Sequence, residues 1–185
     1  MELGSVAKHS LESEARPIVL PPSFGGELPS PGIRKLRGGH RYNSAMSSDV
    51  VPMMSYRDGV EALDWLVSAF GFTENVRMVT DEGRLEHAEI QAGSASIMLA
   101  TPSREYEGPA LHRSHCDASA RWQEVPYLVD GLLVLVDDVD AHCERARGHG
   151  AKILTEVEST EHGKRYRAED LEGHRWMFIE RSSIA

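Results

Sequence analysis

The stretch Tyr166-Arg-Ala-Glu-Asp-Leu-Glu-Gly-His-Arg-Trp-Met-Phe178 reads as a β-hairpin near the end of a 185-residue chain. Asp170 and Gly173 occupy the first and last positions of a four-residue turn. There an Asp side chain bonds its own backbone and a Gly relieves the exit. A strand is expected to follow from His174 to Glu180. Its residues His174, Trp176 and Phe178 alternate with Arg175, Met177 and Ile179, so one face is bulky and aromatic and the other mixed, as in a strand packed on both sides.

Working back from this hairpin, the second half of the chain has a definite order. A strand over Gly131 to Val136 leads to an acidic cap at Asp137-Asp138. A helix from Val139 to His149 ends at Gly150, and strands near Lys152 to Glu158 and Lys164 to Glu169 lead into the hairpin. About eighty residues earlier the same order occurs. Val50 to Arg57 reads as a strand, and Asp58 caps a helix whose Glu61 completes a capping box. Val60, Leu63, Leu66, Val67 and Phe70 follow at helical spacing, and Gly71 suits a left-handed C-terminus. Strands over Thr73 to Thr80, Arg84 to Gln91 and Ser94 to Thr101 are separated by Asp-Glu-Gly and Ala-Gly turns. Asp58 matches Asp138, Gly71 matches Gly150, and Met98 matches Met177. The chain therefore repeats a β-α-β-β-β unit, with modules over 50–101 and 131–181 and a linker over 102–130.

Residues 1–49 differ in kind. They hold Pro17, Pro21, Pro22, Pro29 and Pro31 with six glycines and have no periodicity, which predicts a disordered or loosely held extension. Met46, just before the first periodic stretch, is a second candidate translation start. Beyond the extension, fourteen Lys/Arg face twenty-four Asp/Glu. So acidic a domain is a poor partner for phosphate backbones, and no nucleic acid is expected. No apolar run approaches the roughly 18 residues of a membrane span, and no secretory leader is visible, so no membrane partner is expected and the cytoplasm is the expected location. Cys116 and Cys143 have no paired spacing and read as free thiols. Cys143 falls on the apolar side of its helix with Val139 and Ala146, as an inert buried thiol.

The closing turn and the paired units resemble the vicinal oxygen chelate superfamily, which includes glyoxalase I, extradiol dioxygenases and bleomycin- or fosfomycin-resistance proteins. The resemblance covers about residues 50–182. It implies an α+β fold in which two βαβββ modules form a concave mixed sheet with flanking helices. In the metal-using members, the first and last strands of each half each supply one ligand. The first-strand positions lie seven residues before the capping Asp, at Val51 and Gly131 here, and the last-strand positions fall at Met98 and Met177. Neither an aliphatic side chain nor a glycine binds a metal, and thioether is a poor ligand for Mg, Mn, Ni or Zn in such a site. The chain thus resembles the subgroup without metal, which holds a bulky ligand on the concave surface, often as a dimer. A homodimer, no metal and no cofactor are the corresponding expectations.

Strand alternation outward from these positions gives a cavity floor of Val51, Met53, Ser55, Ser96, Met98, Leu133, Leu135, Met177 and Ile179, apolar and adaptable. The same residues could simply fill a core. His87 and Glu89, two apart in a strand, share a face. They could act as a general base or ligand anchor, or form an edge-strand pair facing water. In the linker, Trp122 on a short helix over 118–124 could close over the cavity or pack the halves together. His112-x-x-His115-Cys116 invites a zinc reading but lacks a fourth ligand at suitable spacing. Either Arg165 or Tyr166, not both, can point into the cavity. His174 and Trp176 are expected to pack toward a helix, and His142 and His149 to face solvent. No Ser/His/Asp arrangement, phosphate loop or dinucleotide fingerprint is visible. The expected function is metal-independent binding of a small, partly apolar organic ligand. The alternative is an isomerase or lyase of the same fold with His87 or Glu89 as base.

Overall fold

A computed structural model describes residues 50–103, 105–127 and 131–183. The expectations for residues 1–49 lie outside the described residues. Two four-stranded mixed sheets, each with its helix, follow the predicted order. The first module comprises β1 (Met53–Ser55), α1 (Gly59–Phe70), β2 (Thr73–Val79), β3 (Leu85–Ala92) and β4 (Ala95–Ala100). The linker carries α2 (Pro109–Arg113) and α3 (Asp117–Gln123). The second module comprises β5 (Gly131–Val136), α4 (Val139–Gly148), β6 (Lys152–Thr160), β7 (Gly163–Glu169) and β8 (Arg175–Glu180). The strand orders are β1-β4-β3-β2 and β5-β8-β7-β6, with the first and last strand of each module parallel.

Local chemistry explains the element boundaries. Asp58 Oδ1 accepts from Glu61 N at 3.2 Å and Asp138 Oδ1 from Ala141 N at 2.9 Å, so each helix starts on an acidic cap. The capping box expected of Glu61 is not completed by its own side chain, because Glu172 of the closing turn takes that role. Its carboxylate accepts from Arg57 N and Asp58 N at 2.8 and 2.9 Å. Gly71 ends α1 with φ +69. The closing turn forms as expected: Gly173 N donates to Asp170 O at 3.1 Å, and Asp170 Oδ1 accepts from Glu172 N and His174 N at 3.1 and 3.0 Å. Gly173 has φ +87, where a Cβ would also lie 2.7 Å from Ala110 N.

The two modules meet through their helix sides in one core. Phe70 at the end of α1 packs edge-on against Trp176 and Phe178 of β8, with centroids 5.3 and 4.8 Å apart, and Phe72 joins Trp176 at 5.5 Å. Such pairs contribute roughly 0.5–1.5 kcal/mol each beyond area burial. The other Asp170 oxygen, Oδ2, accepts from Tyr56 OH of the first module at 2.7 Å and from Trp176 Nε1 at 3.0 Å. Burial raises the Asp170 carboxyl above its ordinary value, and burial beside this carboxyl raises the Tyr56 phenol well above its own.

His142 corrects an expectation. Instead of facing solvent it is buried, because α4 turns that side toward Phe70 and Phe178. Its Nδ1 accepts from Tyr166 OH at 2.7 Å and its Nε2–H donates to Phe70 O at 3.0 Å, a pairing that suits the neutral ring. His149 is exposed as expected. Cys143 is buried, and burial raises its thiol above the ordinary value.

Two outcomes follow. Asp170→Ala leaves Tyr56 OH and Trp176 Nε1 buried without their acceptor, so urea unfolding should show a loss of about 3 kcal/mol or more; a loss below about 1 kcal/mol contradicts the role given to Asp170. Burial, with Arg145 nearby, lowers the His142 imidazole to about 4. The unfolded chain then binds the proton more readily than the folded one. The stability tied to the neutral ring is present above about pH 6.5 and is lost as pH falls through about 4, to a total of about 3 kcal/mol. Compared with His142→Gln, the wild type should lose that much more stability between pH 7 and 4; parallel curves contradict it.

Candidate functional site

Each sheet has one face on the shared core and one face away from it. In β3, Ala88 and Ile90 are buried against the helix side, so His87 and Glu89 take the other face. β3 lies between β4 and β2, not at an edge, and His87 Nε2 sits 3.2 Å from Glu89 Oε1. Opposite Glu89 in register is Met98, which is in turn opposite Met53. Ser55 and Ser96 share this face by alternation. Met53 is 81% exposed, while Met98 is covered.

The second module has the corresponding face. β5 and β8 place Leu133 beside Met177 and Leu135 beside Ile179, and β7 places Arg167 opposite Met177 and Arg165 opposite Ile179. Leu133 is 51% exposed. Arg165 Nε donates to Glu158 Oε1 at 3.0 Å, and Arg167 lies 3.8 Å from the same oxygen. Burial lowers the Arg167 guanidinium below its ordinary value, with Arg165 beside it acting the same way.

Several expectations are corrected here. Tyr166 is fully buried on the helix side against Phe178 and His142, so Arg165 is the one that points to the outer face. The turn already contained that answer: with Asp170 opposite His174, Tyr166 must pair with Phe178, and paired residues share a face. By the same register Arg167 belongs to the face, though sequence reasoning overlooked it. Trp176 packs on the helix side as expected, against Phe70 at the end of α1. His174 instead sits in the turn, where its Nε2 lies 2.9 Å from Ser55 O and its ring meets Tyr56 edge-on at 4.7 Å. Trp122 is 65% exposed on α3 and does not pack the two modules together. The anticipated single floor is divided in one copy of the chain, half on each sheet, because the modules join through their helix sides.

The linker borders the second face. Buried Glu169, paired with Arg175 in register, receives the Arg113 fork at 2.9 and 2.8 Å and Lys152 Nζ at 3.3 Å. Arg175 also donates to Val125 O at 2.6 Å and to Gln123 O. Despite burial, which acts the other way, Arg113 and Lys152 hold the Glu169 carboxyl below the ordinary range. Sequence gave no sign of this pinning, since partners 56 residues apart have no spacing to read. A cleft of about 500 Å³ lies elsewhere, where α1, α2 and the closing turn meet, lined by Arg57, Asp58, Gly108, Ala110, Leu111, Leu171 and Glu172. None of the expected ligand-binding residues lines it.

A divalent ion does not fit the four matched positions. Val51, Met98 and Met177 offer no oxygen or imidazole. At Gly131 even a Cβ would come within 3.0 Å of Arg175 O, so the position admits no ligating side chain without moving β8. Among the described residues, His, Cys, Asp and Glu gather at ligand spacing only in the linker, at Glu107, His112 and His115.

Comparison with known proteins agrees with this architecture. The uncharacterized protein Rv0887c of Mycobacterium tuberculosis H37Rv is 29% identical over 150 residues, covering 78% of this chain and 84% of its own. The crystal structure of TioX from Micromonospora sp. ML1 is similar with a TM-score of 0.52 and 28% identity, covering 72% of this chain and 95% of TioX. TnmS3, described as an antibiotic binding protein from Streptomyces sp. CB03234, has a TM-score of 0.48 and 22% identity, covering 73% and 98%. The sequence pattern of the Glyoxalase/Bleomycin resistance protein/Dioxygenase superfamily matches residues 52–178, more than half of the chain. With its paired modules and mixed sheets, the chain belongs to that superfamily.

Proposed function

We propose that the protein binds a small, partly apolar organic ligand without a metal, and that two copies of the chain build the cavity. The observation that carries this reading is the division of the site. The helix sides are consumed by the shared core, leaving Met53, Met98 and the His87–Glu89 pair on one outer face and Leu133, Met177, Arg165 and Arg167 on the other. Neither face alone encloses a ligand. The first carries the Glu89 carboxylate and the second two guanidiniums sharing one Glu158, so the faces are complementary in charge. Exposed Met53 and Leu133 supply apolar contact that one copy leaves to solvent. Facing the first module of one copy with the second module of another closes two equivalent cavities, each walled by methionine and leucine with a polar pair at one side and cations at the other. The absence of oxygen or imidazole donors at the four matched positions supports a metal-free site.

An enzymatic reading rests on the 3.2 Å contact of His87 with Glu89, which could carry a proton to or from a bound ligand. It makes a different demand of the same side chain. If the protein only sequesters, His87→Gln keeps binding with a modest loss; if His87 is a base, the substitution abolishes turnover while leaving binding.

Sedimentation equilibrium at micromolar concentration should give a dimer for the wild type and a monomer for Leu133→Glu; a monomeric wild type contradicts the shared cavity. A thermal-shift screen of partly apolar organic compounds should find ligands adding about 2.7 kcal/mol at a hundred times Kd. Chelator should leave that shift unchanged, and added Ni or Mn should not enlarge it when each shift is measured against the ligand-free protein in the same buffer. A shift that appears only with metal contradicts the metal-free reading.

A further inference from the structure

We infer that Glu107, His112 and His115 form a binding site for one divalent ion of the zinc class on the linker, apart from the outer sheet faces. His115 Nε2 lies 2.8 Å and His112 Nδ1 3.5 Å from the same Glu107 Oε2, and the two rings meet edge-on with centroids 5.5 Å apart. One ligand atom from each of the three residues lies within 4.8 Å of the others. Donors around a tetrahedral zinc with bonds of 2.0–2.1 Å are about 3.4 Å apart. The widest separation must contract by up to about 1.4 Å and the 2.8 Å pair widen by about 0.6 Å, adjustments that side chains roughly half exposed make by rotation.

The backbone that carries the two histidines is held in place. Arg113, between the two histidines, is forked onto buried Glu169 and donates to Gln123 Oε1 at 2.6 Å, which fixes the inward side of this segment. Ala110 N donates to Glu172 O at 2.7 Å, tying the start of α2 to the closing turn, and Ser114 Oγ donates to Leu111 O at 2.7 Å at its end. His112 and His115, three apart, then share the outward side with Glu107. A donor set anchored before the ion arrives loses little freedom on binding. Two imidazoles and one carboxylate with a fourth position open to water suit zinc, cobalt or nickel, whereas magnesium and calcium prefer oxygen alone. The third ligand escaped sequence reading because it precedes the His-x-x-His pair, where zinc-finger spacing places nothing.

The test uses the full-length chain, stripped with chelator and dialysed free of it, titrated calorimetrically with zinc chloride. One equivalent should bind saturably and survive excess magnesium. His112→Gln and His115→Gln should each weaken it by about tenfold or more, and Glu107→Gln should weaken it as well. In chelator all variants should melt with the wild type, since the three side chains are exposed; added zinc should then raise the melting temperature of the wild type and not of the double histidine variant. Absence of saturable binding overturns the assignment. So does zinc that binds equally well to the double variant, which would belong to other histidines. Neither outcome bears on ligand binding at the sheet faces, which the chelator-insensitive screen reads separately.

Discussion

The carboxylate of Asp170 accepts hydrogen bonds from two backbone groups of its own turn, from the Trp176 indole that follows it and from the Tyr56 phenol of the other module. One buried group thus closes the hairpin, sets the register of β8 and joins the first module to the second. A carboxyl group so far from water is costly unless its acceptor sites are filled. Here four donors fill them, and the neighbouring Glu172 carries the linkage on to the start of α1. With the turn fixed, Trp176 and Phe178 face Phe70, and the modules meet along their helix sides.

That junction determines where function can reside. A module that spends its helix side on its neighbour has only its outer face left. At its matched positions, Gly131 and Met177, the second face offers no oxygen or imidazole side chain, yet it has soft, adaptable side chains and two guanidiniums. Methionine and valine at positions where a metal enzyme needs carboxylate or imidazole change the chemistry the sheet can perform: they can exclude water from an organic ligand but cannot polarise it. The His87–Glu89 contact is the place on these faces where proton chemistry remains available.

What could be read from the chain followed the range of the interactions involved. Asp58, Asp138, Gly71 and the Asp170–Gly173 turn act within a few residues, and each formed as their spacing indicated, as did the strands between them. Parity along β8 correctly set Trp176 against Met177, and continuing the register through the turn would also have separated Tyr166 from Arg165. The features that escaped act over long separations. Glu172 takes the capping bond expected of Glu61, His142 is drawn inside by Phe70 from 72 residues away, and the Arg113–Glu169 fork pins a linker with no local signature. The placement of the candidate residues on two separate outer faces could not be read either, since amphipathic helices do not specify which module they will meet.

The central claim, a soft-walled and metal-free cavity on the outer sheet faces, is tested most directly by titrating the protein with anilinonaphthalene sulfonate in the presence of chelator. This amphipathic anion matches apolar walls with guanidiniums beside them. The account predicts saturable fluorescence enhancement by the native protein, undiminished by chelator and lost in Met177→Glu at unchanged stability. Enhancement that requires a divalent ion, or that Met177→Glu leaves intact, would contradict it.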